Sequence, residues 1–423
     1  MKTKTNWQNL QLQDIGSIVA GGTPSTKNPN NFGGDVAWIT PADLTGYTDK
    51  YISKGKRNLS KTGLKNSSAI LLPKGSVLCS SRAPIGYVVI AENEIATNQG
   101  FKNIVPNTKI VNSEYLYYFL KGNKDLITSF ASGTTFLEVS AKRFSAIPIP
   151  VPPLAEQKRI VRKIEELFGL IDRDIQRLTD TLEQLSQFRQ SVLHQAFSGK
   201  LYKTTNWTKK TLQDLCLSVA KRKDSKNEQE HFLYLDIASI DNQTNTIIGA
   251  TPHTGVTAPS RARQIVKNGD VLFSTVRTYL KNIALITDEK YHNQIASTGF
   301  CVIRANKKQL LPKFIYYYTL TDSFLSPLNA KQRGSSYPAV RDSDVLNSTI
   351  YLPTLPEQQK IVDEIEKAFR SADKVQKAVQ NALEEAKKLK QSILKKAFAG
   401  ELVPQDPNDK PVDLTQIKKD KQK

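Results

Sequence analysis

The chain has 423 residues, 39% of them hydrophobic and 24% charged, and a formal net charge of +20. This length allows two or three domains with separate cores, and the composition is that of a globular protein. No apolar run approaches the ~20 residues of a membrane span, and the start, MKTKTNWQNLQLQ, lacks the apolar stretch of a signal peptide. Cys79, Cys216 and Cys301 lie too far apart for a zinc site or a disulfide framework, which predicts reduced thiols in a cytoplasmic protein.

The excess positive charge is divided evenly between two parts of the chain. Residues 1–153 carry 17 basic and 9 acidic residues, and residues 201–356 carry 20 and 12, so each part has a net charge of +8. Basic domains attract polyanions, because lysine and arginine neutralise phosphates and release counterions. Two equally basic parts favour two contacts with nucleic acid over the alternative, which is the solvated surface of an ordinary basic protein.

The pattern of residues 6–150 predicts a mixed domain. The apolar runs SAILLPKGSVLCSS and IGYVVIAE, which contain or follow glycine and proline turns, predict strands. Residues 113–132 predict one or two helices with Ser113 as the N-cap. Alternate prolines in residues 144–154, FSAIPIPVPPL, lack backbone donors. This segment is therefore predicted to be an extended lead-in and neither a helix nor a central strand.

A long amphipathic helix is predicted to begin at Leu154. One apolar row recurs every seven residues at Ile164, Ile171, Leu178, Leu185 and Val192, and a flanking row follows Ile160, Leu167, Ile175, Leu182 and Phe188. The helix is predicted to stop near Gly199, because glycine suits the left-handed conformation that ends many helices.

The same helix occurs again near the end of the chain. LAEQKRIVRKIEELF at residues 154–168 matches LPEQQKIVDEIEKAF at 355–369, and SVLHQAFSGKL at 191–201 matches SILKKAFAGEL at 392–402, both at an offset of 201 residues. The second helix has its own apolar rows, which are Ile365, Ala372, Val379, Ala386 and Ile393, and Ile361, Ala368, Val375, Ala382 and Leu389. A constant offset indicates an internal repeat. Weaker matches in the same order, such as SGTTFLEVS with RGSSYPAVR, extend it to the preceding domains.

The predicted fold class is α+β, with two mixed α/β domains separated by two long helices. The predicted segments are 1–153, 154–200, 201–354, 355–400 and a polar tail, 401–423. Large residues of the first helix face alanines of the second, which allows close packing. The simplest arrangement of a duplicated helix is an antiparallel coiled coil about a pseudo-twofold axis. Such a pair would hold two different domains at a fixed spacing, much as DNA-binding dimers hold two half-sites.

The sequence lacks the motifs of common catalytic sites. It contains no phosphate-binding loop, no G-x-S-x-G elbow and no adenine-methylation motif of the Asn-Pro-Pro-Tyr type. Its four histidines, His194, His231, His253 and His292, show no metal-ligand spacing. We therefore expect a recognition protein that has no catalytic residues and no metal site.

The arrangement resembles the specificity subunit of type I restriction-modification enzymes. The resemblance is carried by the two helix motifs quoted above, and by GGTPST at residues 21–26 followed by WITPADL at 38–44, which is similar to the start of that family's target recognition domains. It covers essentially the whole chain. The second domain departs from the pattern, because SVAKRKDSK at residues 218–226 stands where the first domain has IVAGGTPST.

The resemblance implies a set of partners and a location. Each domain would be a target recognition domain that reads one half of a bipartite, asymmetric site in double-stranded DNA. Two modification subunits would methylate adenine N6, and restriction subunits would translocate and cleave DNA. S-adenosylmethionine, ATP and Mg are expected on those partners, with no cofactor on this chain. The location is expected to be cytoplasmic, with no membrane partner.

Candidate DNA-binding residues are polar or basic residues on short loops, because base reading needs donors, acceptors and cations. In the first domain they are Thr23, Ser25, Thr26, Ser80, Ser81, Arg82, Gly133, Thr134 and Thr135. In the second domain they are Lys221, Arg222, Lys223, Ser274, Arg277, Arg333, Ser335, Ser336 and Tyr337. Arg82 and Arg277 follow the matched strands VLCS and VLFS, which favours a shared role.

Two other hypotheses remain open from the residues alone. A coiled-coil scaffold whose globular ends bind protein partners would carry the same helices, but it would have no salt-dependent affinity for DNA. A complete enzyme that methylates or cleaves by itself is disfavoured by the missing catalytic motifs.

Overall fold

The computed structural model describes residues 6–133, 137–199, 207–223 and 227–415. The chain forms two compact units, the first from Met1–Arg177 with Ala382–Lys423 and the second from Leu178–Asn381. Each unit combines one mixed α/β domain with half of each long helix, whereas the predicted segments treated each helix as a separate part. Among the described residues, none of the helices has both the length and the apolar character that a membrane span needs.

The first unit contains ten strands and five short helices among its described residues. The strands are β1 (Gln8–Gln11), β2 (Gly16–Ala20), β3 (Phe32–Val36), β4 (Trp38–Ile39), β5 (Tyr51–Ile52), β6 (Val77–Ser80), β7 (Val88–Ala91), β8 (Ala96–Thr97), β9 (Phe101–Pro106) and β10 (Pro148–Val151). The helices are α1 (Leu12–Ile15), α2 (Lys61–Lys65), α3 (Ser113–Gly122), α4 (Lys124–Ser129) and α5 (Ala141–Ser145), and they precede the first long helix, α6 (Leu154–Phe197).

The second unit contains twelve strands and four short helices among its described residues. The strands are β11 (Thr208–Thr211), β12 (Cys216–Leu217), β13 (His231–Leu235), β14 (Ile240–Asp241), β15 (Thr246–Ile247), β16 (Thr251–Thr254), β17 (Ala262–Ile265), β18 (Val271–Ser274), β19 (Ile283–Leu285), β20 (Ile295–Ser297), β21 (Phe300–Ala305) and β22 (Thr349–Leu352). The helices are α7 (Leu212–Leu215), α8 (Pro312–Thr319), α9 (Asp322–Ala330) and α10 (Asp342–Leu346), followed by the second long helix, α11 (Leu355–Phe398).

The strand order confirms the internal repeat. The sheet of the first unit runs β2-β9-β6-β7-β5, and that of the second runs β12-β21-β18-β19, so the first four positions correspond. In each unit the first strand pairs antiparallel with the strand that leads into a long helix, β1 with β10 and β11 with β22. Each unit also has one corresponding parallel pair, β4 with β8 and β13 with β20.

The strand β6 is buried on both faces, which explains why its sequence, VLCS, is apolar without alternation. Val77 and Cys79 pack in the core that contains α3, and Leu78 packs in a separate core on the opposite face. The matched strand β18 is also buried on both faces. Val271 and Phe273 pack in one core, and Leu272 packs in a separate core on the opposite face. The ends of β6 and β18 are therefore held rigidly by the sheet.

Two local predictions need correction. The N-cap of α3 is Asn112, whose side chain accepts from the Tyr115 N–H, and Ser113 instead donates its hydroxyl to the Gly75 carbonyl at 2.8 Å. The proline-rich lead-in begins inside α5, which includes Phe144, and then forms the strand β10. Among the described strands this one pairs with β1 alone, so the missing proline donors are tolerated at its other edge.

The two long helices are confirmed and each has 44 residues. They end just before Gly199 and Gly400, which have positive φ angles of 73° and 72°. Both glycines thus adopt the left-handed conformation that was expected at the helix ends.

The helices pack against each other in antiparallel orientation. In the first unit Asp172 of α6 pairs with Lys390 of α11, and in the second unit Arg189 of α6 pairs with Asp373 of α11 at 2.6 Å. Asp172 and Asp373 lie 201 residues apart, and so do Arg189 and Lys390. The acidic residue is thus on α6 in one pair and on α11 in the other. This reciprocal pairing is the pattern of an isologous interface, here within one chain.

The predicted apolar rows are only partly correct. Ile164 and Ile171 are buried, but large side chains of the flanking rows are exposed, by 45% for Phe188, 45% for Val375 and 51% for Leu389. The position seven residues after Leu182 is occupied by Arg189, which makes the ion pair described above. Phe188 therefore lies outside the helix contact and faces solvent.

A buried glutamine fixes the start of each long helix to its domain. The Gln157 side chain accepts from the Asn112 N–H at 2.8 Å and donates to the carbonyls of Ile110 at 2.9 Å and Pro152 at 2.8 Å. Gln358 makes the corresponding three bonds, with Leu311, Gln309 and Pro353. Removing the side-chain amide of either glutamine would leave buried backbone groups without a hydrogen bond. Each such group would cost about 1–3 kcal/mol of folding free energy. These bonds explain why a glutamine occurs at this position in both copies of the helix motif.

The described part of the polar segment after α11 packs on the first unit. Asp409 accepts from Arg159 of α6, with the Nη2 and Oδ2 atoms 2.5 Å apart, and its carbonyl accepts from Asn6 at 3.0 Å. Val412 is buried, and its carbonyl accepts from Gln8 of β1 at 3.2 Å. The described part of this segment therefore covers the strand β1.

All three cysteines are free thiols. Burial raises the pKa of Cys79 and that of Cys216 to about 12, and it raises the pKa of Cys301 well above its usual value. The thiols therefore stay protonated and unreactive at neutral pH. The prediction of reduced core cysteines is confirmed for Cys79 and Cys301, while Cys216 is only partly buried.

Candidate nucleic-acid interface

Three short segments of the first unit meet beyond the end of β6. They are the loop 81–86, the turn 98–100 and the bridged residues Ser132 and Glu138, which we call the hairpin bridge. The Ser81 N–H donates to the Gly100 carbonyl at 2.7 Å, and the Val139 N–H donates to the Ser81 carbonyl at 3.0 Å. We call this arrangement the loop junction of the first unit.

The second unit has the same junction after β18, built from the loop 275–282, the turn 297–299 and the hairpin 333–339. The Thr275 N–H donates to the Gly299 carbonyl at 2.9 Å, and the Val340 N–H donates to the Thr275 carbonyl at 2.9 Å. Two backbone hydrogen bonds join Arg333 to Ala339, as they join Ser132 to Glu138 in the first unit. The backbone frame of the junction is thus repeated, although most of its side chains differ.

Glycines make these close approaches possible. The φ angles of Gly133 and Gly334, which directly follow the bridged residues Ser132 and Arg333, are 117° and 94°, a region that other residues rarely adopt. A Cβ atom on Gly21 would lie 1.9 Å from the Asn98 carbonyl oxygen, so the first glycine of GGTPST is required by packing against the turn. The Thr23 hydroxyl beside it donates to Gln99, which brings that predicted site residue to the junction.

Glu138 organises the charged groups of the first junction. Its carboxylate accepts from Lys102 at 3.2 Å and from Arg82 at 3.3 Å, and the Lys102 ammonium also donates to the Ser81 hydroxyl at 3.1 Å. Lys102 is buried, while Arg82 is partly exposed at the edge of the cluster. Arg82 therefore remains accessible to solvent, but one carboxylate is shared between it and Lys102.

The predicted serines next to the strands are buried and bonded within the protein. The Ser80 hydroxyl donates to the Pro84 carbonyl at 2.7 Å, that of Ser81 to Gly100 at 3.1 Å, and that of Ser274 to Val276 at 2.9 Å. These hydroxyls shape the loops that follow β6 and β18. Contact of these serines with DNA stays a prediction.

Arg277 lies at the surface of the second junction. Its backbone N–H donates to the Pro338 carbonyl at 2.7 Å, and its guanidinium donates to the Ser336 carbonyl at 3.1 Å. The Cζ atom is 4.8 Å from the centre of the Tyr337 ring, and the Tyr337 side chain is 71% exposed. Ser335 and Ser336 are exposed on the same hairpin.

Arg82 and Arg277 both follow a matched strand, as the sequence indicated, but they stand one residue apart in the repeated loop. Ser81 and Thr275 make equivalent hydrogen bonds, so Arg82 corresponds to Val276 and Arg277 corresponds to Ala83. The φ angles agree, because Ala83 has 43° and Arg277 has 49°. The two arginines therefore occupy different positions of the repeated loop.

The remaining predicted residues fall into separate groups. Arg222 is buried and bonds both oxygens of Glu230, at 2.7 and 2.6 Å, whereas Lys221 and Lys223 are exposed. Arg333 pairs with Asp344 at 3.0 Å. The described segment that contains Ser25 and Thr26 is exposed, and Thr134 and Thr135 lie outside the described residues. For all of these residues, DNA contact stays a prediction.

Sequence reasoning missed a basic segment of the first unit. Lys54, Lys56, Arg57, Lys61 and Lys65 are all exposed, and no ion pair joins them to another described residue. Backbone bonds from Gly33 to Asn58 and from Ser60 to Asn31 connect this segment to the loop that follows GGTPST. The available signal was the run KGKRNLSKTGLK, whose density of cations is typical of nucleic-acid surfaces.

The chemistry of the two junctions is that of a polar recognition surface. Each presents exposed hydroxyls, amides or guanidinium groups on backbone held by hydrogen bonds, with basic residues nearby. Phosphate contacts can position such a surface on a duplex, and loop side chains can then reach base edges. Among the described residues, no group of three or more His, Cys, Asp or Glu side chains is placed to hold a metal ion.

Comparison with known families gives a match in both halves of the chain. The family described as the type I restriction modification DNA specificity domain matches residues 4–184 and again residues 204–385. The two matched regions include the two loop junctions.

Curated relatives cover most of the chain. The type I restriction enzyme MjaIX specificity subunit of Methanocaldococcus jannaschii is 28% identical over 425 residues, which cover 95% of this chain and 94% of that protein. The EcoKI specificity subunit of Escherichia coli K12 is 26% identical over 336 residues, which cover 72% of this chain and 69% of that protein.

Two solved structures share the fold. One is a chain from a structure that describes complex assembly and conformational transition of the type I restriction-modification system, with a TM-score of 0.70, 21% identity and coverage of 95% of this chain and 100% of that one. The other is the HsdS subunit of Thermoanaerobacter tengcongensis, with a TM-score of 0.53, 20% identity and coverage of 95% and 98%.

Proposed function

This chain belongs to the type I restriction modification DNA specificity family, and from that premise we propose that it is the sequence-specificity subunit of a type I restriction-modification complex. Each unit would bind one half of a bipartite, asymmetric site in double-stranded DNA. The chain itself would supply recognition, and its partners would supply the chemistry.

The observation that carries this proposal is the repeated loop junction with different side chains. A common backbone frame gives both units the same way of presenting loops to a duplex. The charged cluster of Arg82, Lys102 and Glu138 in the first unit is replaced by Val276, Cys301 and Ala339 in the second. Two unlike surfaces on one frame are what recognition of two unlike half-sites requires.

The described residues divide into contacting and supporting groups under this proposal. The partly exposed Arg82 and Arg277 and the exposed Tyr337 would reach the DNA, while buried groups such as Ser81 and Arg222 would hold the loops in position. The basic segment that contains Lys54 and Lys65 would contact phosphates, because exposed unpaired cations release counterions on binding.

We further propose that the chain docks two modification subunits, which methylate adenine N6, and that restriction subunits join them. S-adenosylmethionine, ATP and Mg would be held by these partners. The support is an exposed apolar side chain at the same position of each helix motif, Phe188 in α6 and Leu389 in α11. Two equivalent exposed positions suit two copies of one partner.

Truncation of either apolar side chain should weaken the docking of one modification subunit. We expect Phe188→Ala and Leu389→Ala each to lower partner affinity roughly tenfold or more, as for a central apolar anchor. The double variant should lose both partners. Native mass measurement of the co-expressed complex gives the stoichiometry, which we expect to be two modification subunits per wild-type chain.

Gln184→Ala is the matched control for these variants, because Gln184 is an exposed polar residue on α6. It should leave the mass of the complex unchanged. A wild-type complex that stays at one modification subunit in excess partner would contradict the docking proposal.

The DNA-binding function is tested with the full chain and a library of random-sequence duplexes. We expect the chain to enrich a bipartite sequence with an unspecified spacer. The logarithm of the binding constant should fall with the logarithm of salt concentration by ~0.9 for each neutralised phosphate. Replacing the five cations of the basic segment with alanine should reduce this slope and leave the enriched sequence unchanged.

Two outcomes would count against the function. Enrichment of no sequence would remove the role in specificity. Binding that is absent at low salt would favour a scaffold that binds only proteins, since such a scaffold has no reason to bind phosphates.

A further inference from the structure

The second unit holds an arginine in a strained backbone conformation at its loop junction. Arg277 has a φ angle of 49°, in the left-handed region that non-glycine residues seldom adopt. Such residues persist only where the surrounding structure holds them, and they are concentrated at functional sites. The corresponding residue of the first unit, Ala83, has the same conformation without a functional side chain.

The loop that carries Arg277 is fixed on both sides. The Thr275 hydroxyl donates to the Gly299 carbonyl at 2.9 Å, and the Thr278 hydroxyl donates to the Asn329 side chain at 2.6 Å. The Arg277 N–H is itself bonded to Pro338 of the hairpin. The start of the Arg277 side chain is therefore held in place before any ligand arrives.

The guanidinium group is also held at its far end. Its Nη2 donates to the Ser336 carbonyl at 3.1 Å, and its Cζ lies 4.8 Å from the centre of the Tyr337 ring. Arg82 and Arg333 each pair with a carboxylate, but no described acidic side chain pairs with Arg277. The second junction thus presents a positioned guanidinium whose charge is not neutralised.

We propose that Arg277, supported by Tyr337, recognises a guanine in the half-site of the second unit. This inference rests on the proposed function. Arginine binds the guanine O6 and N7 atoms through two parallel N–H donors, which is the commonest specific contact in the major groove. A phosphate requires only a nearby cation, whereas a base edge requires the donor plane to have one orientation. The strained backbone and the ring contact supply that orientation.

The same reasoning predicts a difference between the two half-sites. Because Ala83 takes the position of Arg277, the first unit has no arginine at this point of its loop. Arg82, one residue earlier, shares Glu138 with Lys102 instead. The guanine contact is therefore specific to the second half-site.

The test uses the full chain and duplexes selected from the random-sequence library, each then varied at one base pair. We expect Arg277→Ala to lose discrimination at a single G·C pair of the second half-site, roughly tenfold to a hundredfold. Arg277→Lys should lose it too, since an ammonium cannot donate two parallel bonds. Tyr337→Ala should weaken discrimination at that pair, and Tyr337→Phe should preserve it.

The first half-site is the internal control for folding, because its sequence should be unchanged in every variant. If Arg277→Ala does not fold, Arg277→Lys and the two Tyr337 variants still decide the matter. A uniform loss of affinity for all duplexes, with a salt slope reduced by ~0.9, would identify a phosphate contact and overturn the proposal. Unchanged discrimination in Arg277→Ala, or a second half-site without a G·C pair, would also overturn it.

These outcomes separate the inference from the function on which it rests. If the wild-type chain selects no sequence, the proposed function fails. If the wild-type chain selects a bipartite sequence and the Arg277 variants select the same one, only the guanine contact fails.

Discussion

Replacing residues 207–352 with the corresponding segment of a related chain should change one half of the recognised DNA sequence and leave the other half unchanged. The segment contains the whole mixed domain of the second unit, including the pairing of Thr208 with Leu352 that joins β11 to β22. The first junction is not touched by this exchange. Methylation mapping of the host genome, with the partner subunits present, would show which half of the motif has changed.

The exact ends of the exchanged segment provide a control. An exchange that stops at residue 350 divides β22 and mixes strands from two proteins in one antiparallel pair. Register in such a pair depends on side-chain pattern, so this chimera should be less stable than the 207–352 chimera. If the complete exchange altered both halves of the methylated motif, independent reading by the two units would be wrong.

Inserting one heptad into each long helix, after Leu178 in α6 and after Val379 in α11, should lengthen the DNA spacer and preserve both half-sites. Seven residues add ~10 Å to a helix, which corresponds to at most about three base pairs along the duplex axis. The insertions must be matched, because each helix contacts the other on both sides of the insertion points. Methylation mapping of cells that carry the double insertion measures the new spacer.

Single insertions are the control for this experiment. A heptad in α6 alone cannot keep both Asp172 beside Lys390 and Arg189 beside Asp373, so the protein should lose stability. Inserting two residues instead of seven would rotate the apolar row away from its partner helix. An unchanged spacer in a fully active double-insertion variant would show that the helices do not set the distance between half-sites.

The repeat and the long helices could be predicted because their signals are strong and local. A row of apolar residues at every seventh position and a constant offset between two copies leave little choice of structure. The end of the flanking row was harder to predict. Phe188 is apolar, but the helical period brings Arg189 to the contact, and an ion pair replaces the expected apolar packing there.

Residues at the junctions were harder to assign because the same side chains serve two purposes. Serine and asparagine both cap helices, so the pattern alone did not distinguish Asn112 from Ser113. A hydroxyl on a short loop can bind a ligand or can bond to nearby backbone, as Ser80 does with Pro84. Only the burial of the loop separates these cases, and burial depends on distant segments of the chain.

The two arginines and the basic segment were hard to interpret for different reasons. Arg82 and Arg277 share a residue type and both follow a matched strand, but the backbone hydrogen bonds of Ser81 and Thr275 align Arg277 with Ala83. The segment from Lys54 to Lys65 belongs to a region where no match between the halves was found. Its signal is the density of cations, which does not depend on the repeat.

The contacts of Asp409 and Val412 with Asn6 and Gln8 have a consequence for gene organisation. They bring the last described stretch of the polypeptide beside its first strand within the first unit. Where two parts near the ends of a chain lie together, a circular permutation can keep the contacts within each unit. A gene rearranged to begin at Trp207, with the present ends joined, would encode the same two halves in reverse order. Recombination could therefore shuffle such halves between genes as cassettes without disturbing the packing that each one needs.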